Sequence, residues 1–265
     1  MMTFSDVKTH FEANRAHPAD LNWDDLYRLS PAEARAVRAS LQTFQRGEGT
    51  GGNHLLALAT QWQWEEPDYA ATMQLFIQEE KGHADMLGQF MVQQGIPRLE
   101  THWLHEIFPA PGLGTHGASD MTAEVVAAVY YRALRQATLS GLLRQICHRI
   151  LHDEEMHLAF HCLAIQQWSE NRSRLSSWLW QQFYRGLMAG TALVVYAASH
   201  RTFRAAGYGP GRFSRTIAAE YSRLEQRQQA NATIAPRVVP QPPAASQNPL
   251  LGLGTLKNKV LLKNK

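Results

Sequence analysis

Cysteine is scarce in this 265-residue sequence: there are two, Cys147 and Cys162, and no Cys-x-x-Cys pair. That excludes a rubredoxin-like iron site or a cysteine-rich zinc site. Both thiols fall in one predicted helix, fifteen residues and ~22 Å apart, too far to bridge one another. Free thiols lead us to expect a reducing, cytoplasmic compartment. Long apolar runs are missing too. Leu187–Ser199 is the nearest approach to the ~20 apolar residues of a membrane span, and it reads as a buried helix. Residues 1–10 hold no apolar signal-peptide core, so no secretory leader is expected. Charged residues make up only 18% of the chain, against 45% hydrophobic, which is enough for a sizeable core. The net charge of +3 gathers at one end. Arg237, Lys257, Lys259, Lys263 and Lys265 follow Ala230 with no acid among them. With that stretch set aside, acids slightly outnumber bases, so no nucleic-acid-binding face is expected.

Against this background one four-residue phrase stands out because it occurs twice. Glu80-Lys81-Gly82-His83 and Glu154-Glu155-Met156-His157 are both Glu-x-x-His, set deep in apolar helical patterns. Each is preceded, roughly thirty residues upstream, by another glutamate: Glu48 and Glu124. Glu48 shares a stripe with Leu41 and Phe44, a costly place for a carboxylate without a partner.

The flanking signals place these residues on helices. Ser30-Pro31-Ala32-Glu33 combines an N-cap, a first-turn proline and a capping box. The pattern that follows runs through Val37, Leu41, Phe44, Glu48, Leu55, Ala59 and Trp62. It contains Gly47, Gly49, Gly51 and Gly52, read either as tolerated within one helix beside a ligand or as a break. Residues 64–67 end this helix and start the next, which carries Glu80 and His83 to about Gly95. Residues 96–118, rich in proline and glycine, form a long crossover. A third helix carries Glu124, a turn at Thr138–Gly141 follows, and a fourth helix runs to about Trp168.

Two residues in a helical hairpin lie level when they are equidistant from its turn. The midpoint of Glu48 and Glu80 is residue 64, and that of Glu124 and Glu154 is residue 139. Both fall in breaks placed from caps, prolines and glycines alone. All four glutamates therefore sit ~20–24 Å from their turns. Within each Glu-x-x-His, the i, i+3 spacing puts carboxylate and imidazole on one face. Glu80 and Glu154 are placed to bridge two metals, with Glu48 and His83 completing one, Glu124 and His157 the other. Carboxylate plus imidazole suits iron or manganese. Asp153 and Glu79, each beside a ligand glutamate, are expected to accept the outer N–H of His83 and of His157 respectively. The alternative is two unrelated Glu-x-x-His pairs on the surface.

Further residues keep two readings each. His161, one turn past His157, is a seventh ligand, a proton relay or a satisfied buried histidine. Tyr131, seven residues after Glu124, is a redox or hydrogen-bonding tyrosine at the site, or a core aromatic. His54 and His148 read as structural or solvent-facing. The tryptophans at 62, 64, 178 and 180 read as core rather than an electron path.

Over residues 30–168, the order Glu, Glu-x-x-His, Glu, Glu-x-x-His resembles the ferritin-like di-iron carboxylate superfamily, which includes bacterioferritin, rubrerythrin and the small subunit of ribonucleotide reductase. The resemblance implies an all-α ferritin-like four-helix bundle with one long crossover. It also implies two Fe ions (Mn possible), activation of O2 or peroxide, and an oxidised small-molecule product, with electrons from a donor the sequence does not identify. Outside the bundle we expect an N-terminal strap (1–29), added helices at 176–204 and 213–229, and a disordered or extended basic tail (230–265). An oxidase or oxygenase is the leading expectation, because the aromatic fifth helix and the glycines around Glu48 suit a substrate pocket. The alternatives are a ferroxidase or iron-handling protein, a manganese catalase or peroxidase, and a non-enzymatic helical scaffold. An exposed apolar fifth helix would suggest a homodimer.

Overall fold

A computed structural model of the chain describes residues 2–50, 52–61, 66–100, 118–169 and 173–232. Among these there are eight helices and no strand: α1 (Phe4–Ala16), α2 (Pro31–Glu48), α3 (Gly52–Gln61), α4 (Pro67–Gln93), α5 (Ala118–Ala137), α6 (Gly141–Ser169), α7 (Arg174–Ala205) and α8 (Pro210–Ala232). Most of the expected crossover, Trp62, Trp64 and all but the start of the basic tail lie outside the described residues. So does the side chain of His54.

Helix α2 starts where its sequence says it should. The Ser30 side chain accepts from the Glu33 N–H, Glu33 accepts from the Ser30 N–H, and Pro31 fills the first turn. Its end resolves the glycine question in favour of a break. Gly49 caps α2, and the Thr50 N–H and hydroxyl both return to the Gly47 carbonyl. Four glycines in six residues remove up to ~1 kcal/mol each of helical preference, so the helix stops at Glu48 and restarts as α3. Gly52 has a second reason to be glycine. A Cβ there would lie 2.6 Å from Ile77 Cγ2 on α4.

Four helices pack in a closed ring: α2 on α4, α4 on α6, α6 on α5, and α5 on α2. Helices α2 and α4 are antiparallel, as Gln42 reaches Pro97 O and Gln45 reaches Ala84 O. Helices α5 and α6 are joined by residues 138–140, where the Ser140 N–H bonds to the Thr138 hydroxyl and the Leu143 N–H to the Ser140 hydroxyl. Inside the ring, Leu41, Leu87, Val125, Tyr130, Leu134, Ile146 and Ile150 are buried.

Two layers lie outside the ring. Helix α1 buries Phe4, Val7 and Phe11 against α4 and α6. Residues 17–30 then run over the ring, pinned by Gln93 Nε2 to Trp23 O, Gln94 Nε2 to Tyr27 O, and the Leu142 N–H to Asp25. Helix α7 packs on α5 and α2, and α8 on α6, α5 and α7. The Thr202 hydroxyl ties α7 to Ala36 O. The first half of α7 departs from the expectation of a core place for Trp178: Leu175, Trp178, Leu179 and Phe183 are exposed. Their spacing puts them on a face that no described helix covers. No helix among the described residues is long and apolar enough to cross a membrane.

Candidate metal centre

Each ring helix contributes at one level. Helix α2 ends in Glu48; α4 carries Glu80 and His83, α5 Glu124, and α6 Glu154 and His157. Glu48, Glu80, His83 and Glu154 each bring one donor atom within 4.8 Å of the others, and Glu80, Glu124, Glu154 and His157 form a second such group. Glu80 and Glu154 belong to both. The six residues singled out by spacing are thus brought together in two overlapping sets that could each hold a cation. All are buried except Glu80, which is partly exposed.

The inward atoms lack hydrogen-bond partners and face one another. His83 Nδ1 lies 3.4 Å from Glu80 Oε1 and 3.7 Å from Glu48 Oε2. His157 Nδ1 lies 3.2 Å from Glu80 Oε1 and 3.7 Å from Glu154 Oε2. None of these approaches has hydrogen-bond geometry. Glu80 Oε1, both Glu154 oxygens and the two Nδ1 atoms remain without a hydrogen-bond partner in the buried interior. Unmet polar atoms in a core each cost about 1–3 kcal/mol, and five facing one space is a pattern a folded chain does not keep for packing.

The outward atoms are satisfied. His83 Nε2 is 3.0 Å from Asp153 Oδ2, and His157 Nε2 is 3.1 Å from Glu79 Oε2. Such carboxylates hold each ring by Nε2 and turn its Nδ1 inward. Asp153 also accepts from Arg149 Nε at 2.7 Å. Asn14 on α1 donates to Glu79 Oε1 at 2.6 Å and to Asp153 Oδ1 at 2.8 Å. The sequence reading missed Asn14, although it continues the buried stripe of Phe4, Val7 and Phe11.

Electrostatics follow from this split. Burial, then the charges of Glu48 and Glu124, pushes Glu80 well above the usual carboxylate range. Burial and Glu124 do the same to Glu154. Glu124 goes the other way, to about 2: burial alone would raise it, but His161 and Glu154 outweigh that. Burial would lower His83, yet Asp153, Glu48 and Glu80 hold it well above its ordinary value. Glu80 and Glu154 therefore keep protons at pH values where an ordinary carboxyl has lost its own, and a cation would displace them.

The remaining candidates are placed as follows. Tyr131 donates its hydroxyl to Glu48 Oε1, so it is a hydrogen-bonding tyrosine at the cluster. Tyr130 instead donates to Ser40. His161 is buried, with Nε2 unpartnered and 3.8 Å from Glu124 Oε1. His148 is exposed. Trp178, expected in the core, is 55% exposed.

The cluster has two approaches. A cavity of about 150 Å³ touches Glu48, Glu80 and Glu124, walled by Gly47, Gly49, Leu55, Phe76, Ile77 and Asp120. A second cavity, of about 290 Å³, touches Asn14, Glu79, His83, Arg149 and Asp153. Phe76 and Phe11 pack their rings 4.7 and 5.8 Å from that of His157, an apolar collar on the α1 side. No protein-family model, curated protein or solved structure matches this chain.

Proposed function

We propose that the chain is a ferritin-like di-metal carboxylate protein, with two iron ions held in the ring of α2, α4, α5 and α6, and that it oxidises a small organic substrate with O2. One observation carries the reading: the inward-facing atoms of Glu80, His83, Glu154 and His157 have no hydrogen-bond partner and face only one another, and they belong to two four-residue groups sharing Glu80 and Glu154. Hard carboxylate oxygen with one imidazole per position fits iron, and manganese nearly as well. Glu48 and His83 would hold one ion, Glu124 and His157 the other, with Glu80 and Glu154 between them. Bound iron would supply the redox chemistry with O2.

The chain's own residues support that chemistry in three ways. Asp153 and Glu79 hold the two imidazoles by Nε2, so Nδ1 is the ring atom aimed inward, where an incoming cation would take the place of any proton on it. Tyr131 holds Glu48 by Oε1, leaving Oε2 for a cation, and keeps a proton beside the cluster. The glycine-bordered cavity beside Glu48 and Glu124 admits a small molecule, with Leu55, Phe76 and Ile77 giving it an apolar wall. Anaerobic loading with Fe(II) should give two ions per chain, and the loaded protein should then consume O2. A chain that takes up no metal, or that takes it up equally as Glu80→Ala, is not this protein.

Iron handling is the second reading. It is favoured by the acidic border of the same cavity, where Asp120 joins Glu48, Glu80 and Glu124 and would suit a cation entering from outside. Size-exclusion chromatography separates the two: a shell of many subunits points to iron storage, a small species to an oxidase.

A further inference from the structure

The two outer carboxylates are not independent. Glu79 accepts from His157 through Oε2 and from Asn14 through Oε1. Asp153 accepts from His83 through Oδ2 and from Asn14 through Oδ1. Both Asn14 bonds leave the same atom, Nδ2, whose two N–H groups are used on two acceptors. The opposite amide orientation would set a carbonyl oxygen against two carboxylates, so this assignment is the only stable one. The result is an unbroken chain, His157–Glu79–Asn14–Asp153–His83, linking the two imidazoles of the cluster through one residue. That residue is far from both in sequence, 65 positions from Glu79 and 139 from Asp153. It comes from outside the ring, on α1, where Phe4, Val7 and Phe11 set the helix's position one to three turns away.

We propose that Asn14 is a positioning residue that couples the two metal positions: one amide sets the orientation of both histidines at once. This rests on the metal-site reading above. When a cation fixes the His83 imidazole, Asp153 and Asn14 are fixed with it, and Glu79 and His157 are then already placed for the second cation. Hydrogen-bonded chains of this kind act as a unit because each bond orients the next. The two ends are not equally dependent. Asp153 keeps Arg149 at 2.7 Å and His152 at 3.2 Å if Asn14 is lost. Glu79 keeps only His157 among the described residues. The position holding His157 therefore leans on Asn14 more.

The test is an anaerobic Co(II) titration of the full chain, read by ligand-field absorption, on Asn14→Leu, Glu79→Gln and Asp153→Asn. Leucine keeps the branched shape of Asn14 at somewhat larger volume and removes both donors; Asn14→Ala serves if leucine does not fold. Outer-carboxylate substitutions typically weaken metal binding by ~10–100-fold. Glu79→Gln should weaken the His157 position more than the His83 position, and Asp153→Asn the reverse, which identifies the two binding steps. Asn14→Leu should weaken both: about tenfold at the His157 position and several-fold at the His83 position. The two cobalt sites should also fill more independently than in the wild type. If Asn14→Leu lowers the melting temperature of the metal-free protein but leaves both affinities within twofold, Asn14 merely docks α1 and the proposal fails. A change confined to one position defeats it too. A wild-type chain that binds no Co(II) defeats the metal reading itself, which is a separate outcome.

Discussion

Glutamate is drawn into the protein at two places, with opposite results. At the junction of residues 17–30, α2 and the α5–α6 turn, Glu33 accepts from the Tyr27 hydroxyl at 2.7 Å and from the N–H groups of Ser30 and Leu139 at 3.0 and 2.8 Å. Those donors, working against burial, pull its carboxyl down to about 2. At the cluster, Glu80 and Glu154 are pushed well above the usual range, because burial and neighbouring carboxylates act with little to answer them. The lesson is in the partners rather than the residue type. Where the chain supplies donors, as at half-buried Glu33, a carboxylate is a staple. Where it withholds them from several carboxylates at once, the missing partner is a cation from outside.

That contrast is open to attack, most strongly through metal itself. With metal at ~1,000 times its dissociation constant, the folded state gains about 4 kcal/mol, seen as a rise in melting temperature that a chelator reverses. Glu154→Gln should abolish most of that rise. In the metal-free protein the same substitution should stabilise by ~1–3 kcal/mol at pH 8, because it replaces an unmatched buried carboxylate with a neutral isostere. Glu33→Gln should instead cost about 1–2 kcal/mol with or without metal. If both substitutions behave alike, the distinction between staple and cluster is wrong.

pH separates the two places next. Glu80 and Glu154 have folded values raised above the ordinary 4.5. The folded state therefore binds more protons than the unfolded one above that pH, and metal-free stability falls as pH rises. Glu33 has a depressed folded value, so its contribution is present above 4.5 and lost as pH falls toward about 2. Urea unfolding of the metal-free protein between pH 3 and pH 8 should show both limbs. Glu33→Gln should weaken the acid limb and Glu154→Gln the neutral one. Metal loading should release protons and tighten with rising pH.

The smallest expected effect lies at the edge of the cluster. Tyr131→Phe removes the donor to Glu48 Oε1. It should weaken binding at the Glu48–His83 position by about tenfold while sparing the Glu124–His157 position. An equal loss at both positions in the cobalt titration would show that Tyr131 acts on the ring as a whole.

Much of the cluster is legible in the sequence because its logic is local and symmetric. Glu-x-x-His needs only the i, i+3 rule. The level placement of Glu124 with Glu154 follows from a hairpin whose turn carries its own signal; Glu48 comes level with Glu80 although its helix breaks at Gly49, and the expected turn at residue 64 lies outside the described residues. Long-range contacts carry no such period. Asn14 is invisible as a partner of Glu79 and Asp153, since nothing in α1 says which part of the ring it will cover. Leu139 is likewise invisible as a donor to Glu33, 106 positions away. The glycines around Glu48 were ambiguous because propensity shows that a helix is weak but not whether packing will hold it; the bonds of Thr50 to Gly47 decide it. Apolar composition misled at α7, since a face rich in tryptophan and leucine looks the same whether it is covered or exposed.

The central claim is that the donors withheld from Glu80, His83, Glu154 and His157 are supplied by two metal ions. The direct measurement is metal content per chain after anaerobic equilibration with Fe(II) and removal of the unbound metal, on the wild type beside Glu154→Gln. Two ions per chain in the wild type, falling to one or none in the variant, is the predicted result. An empty wild-type chain, or equal loading of the two proteins, contradicts the account.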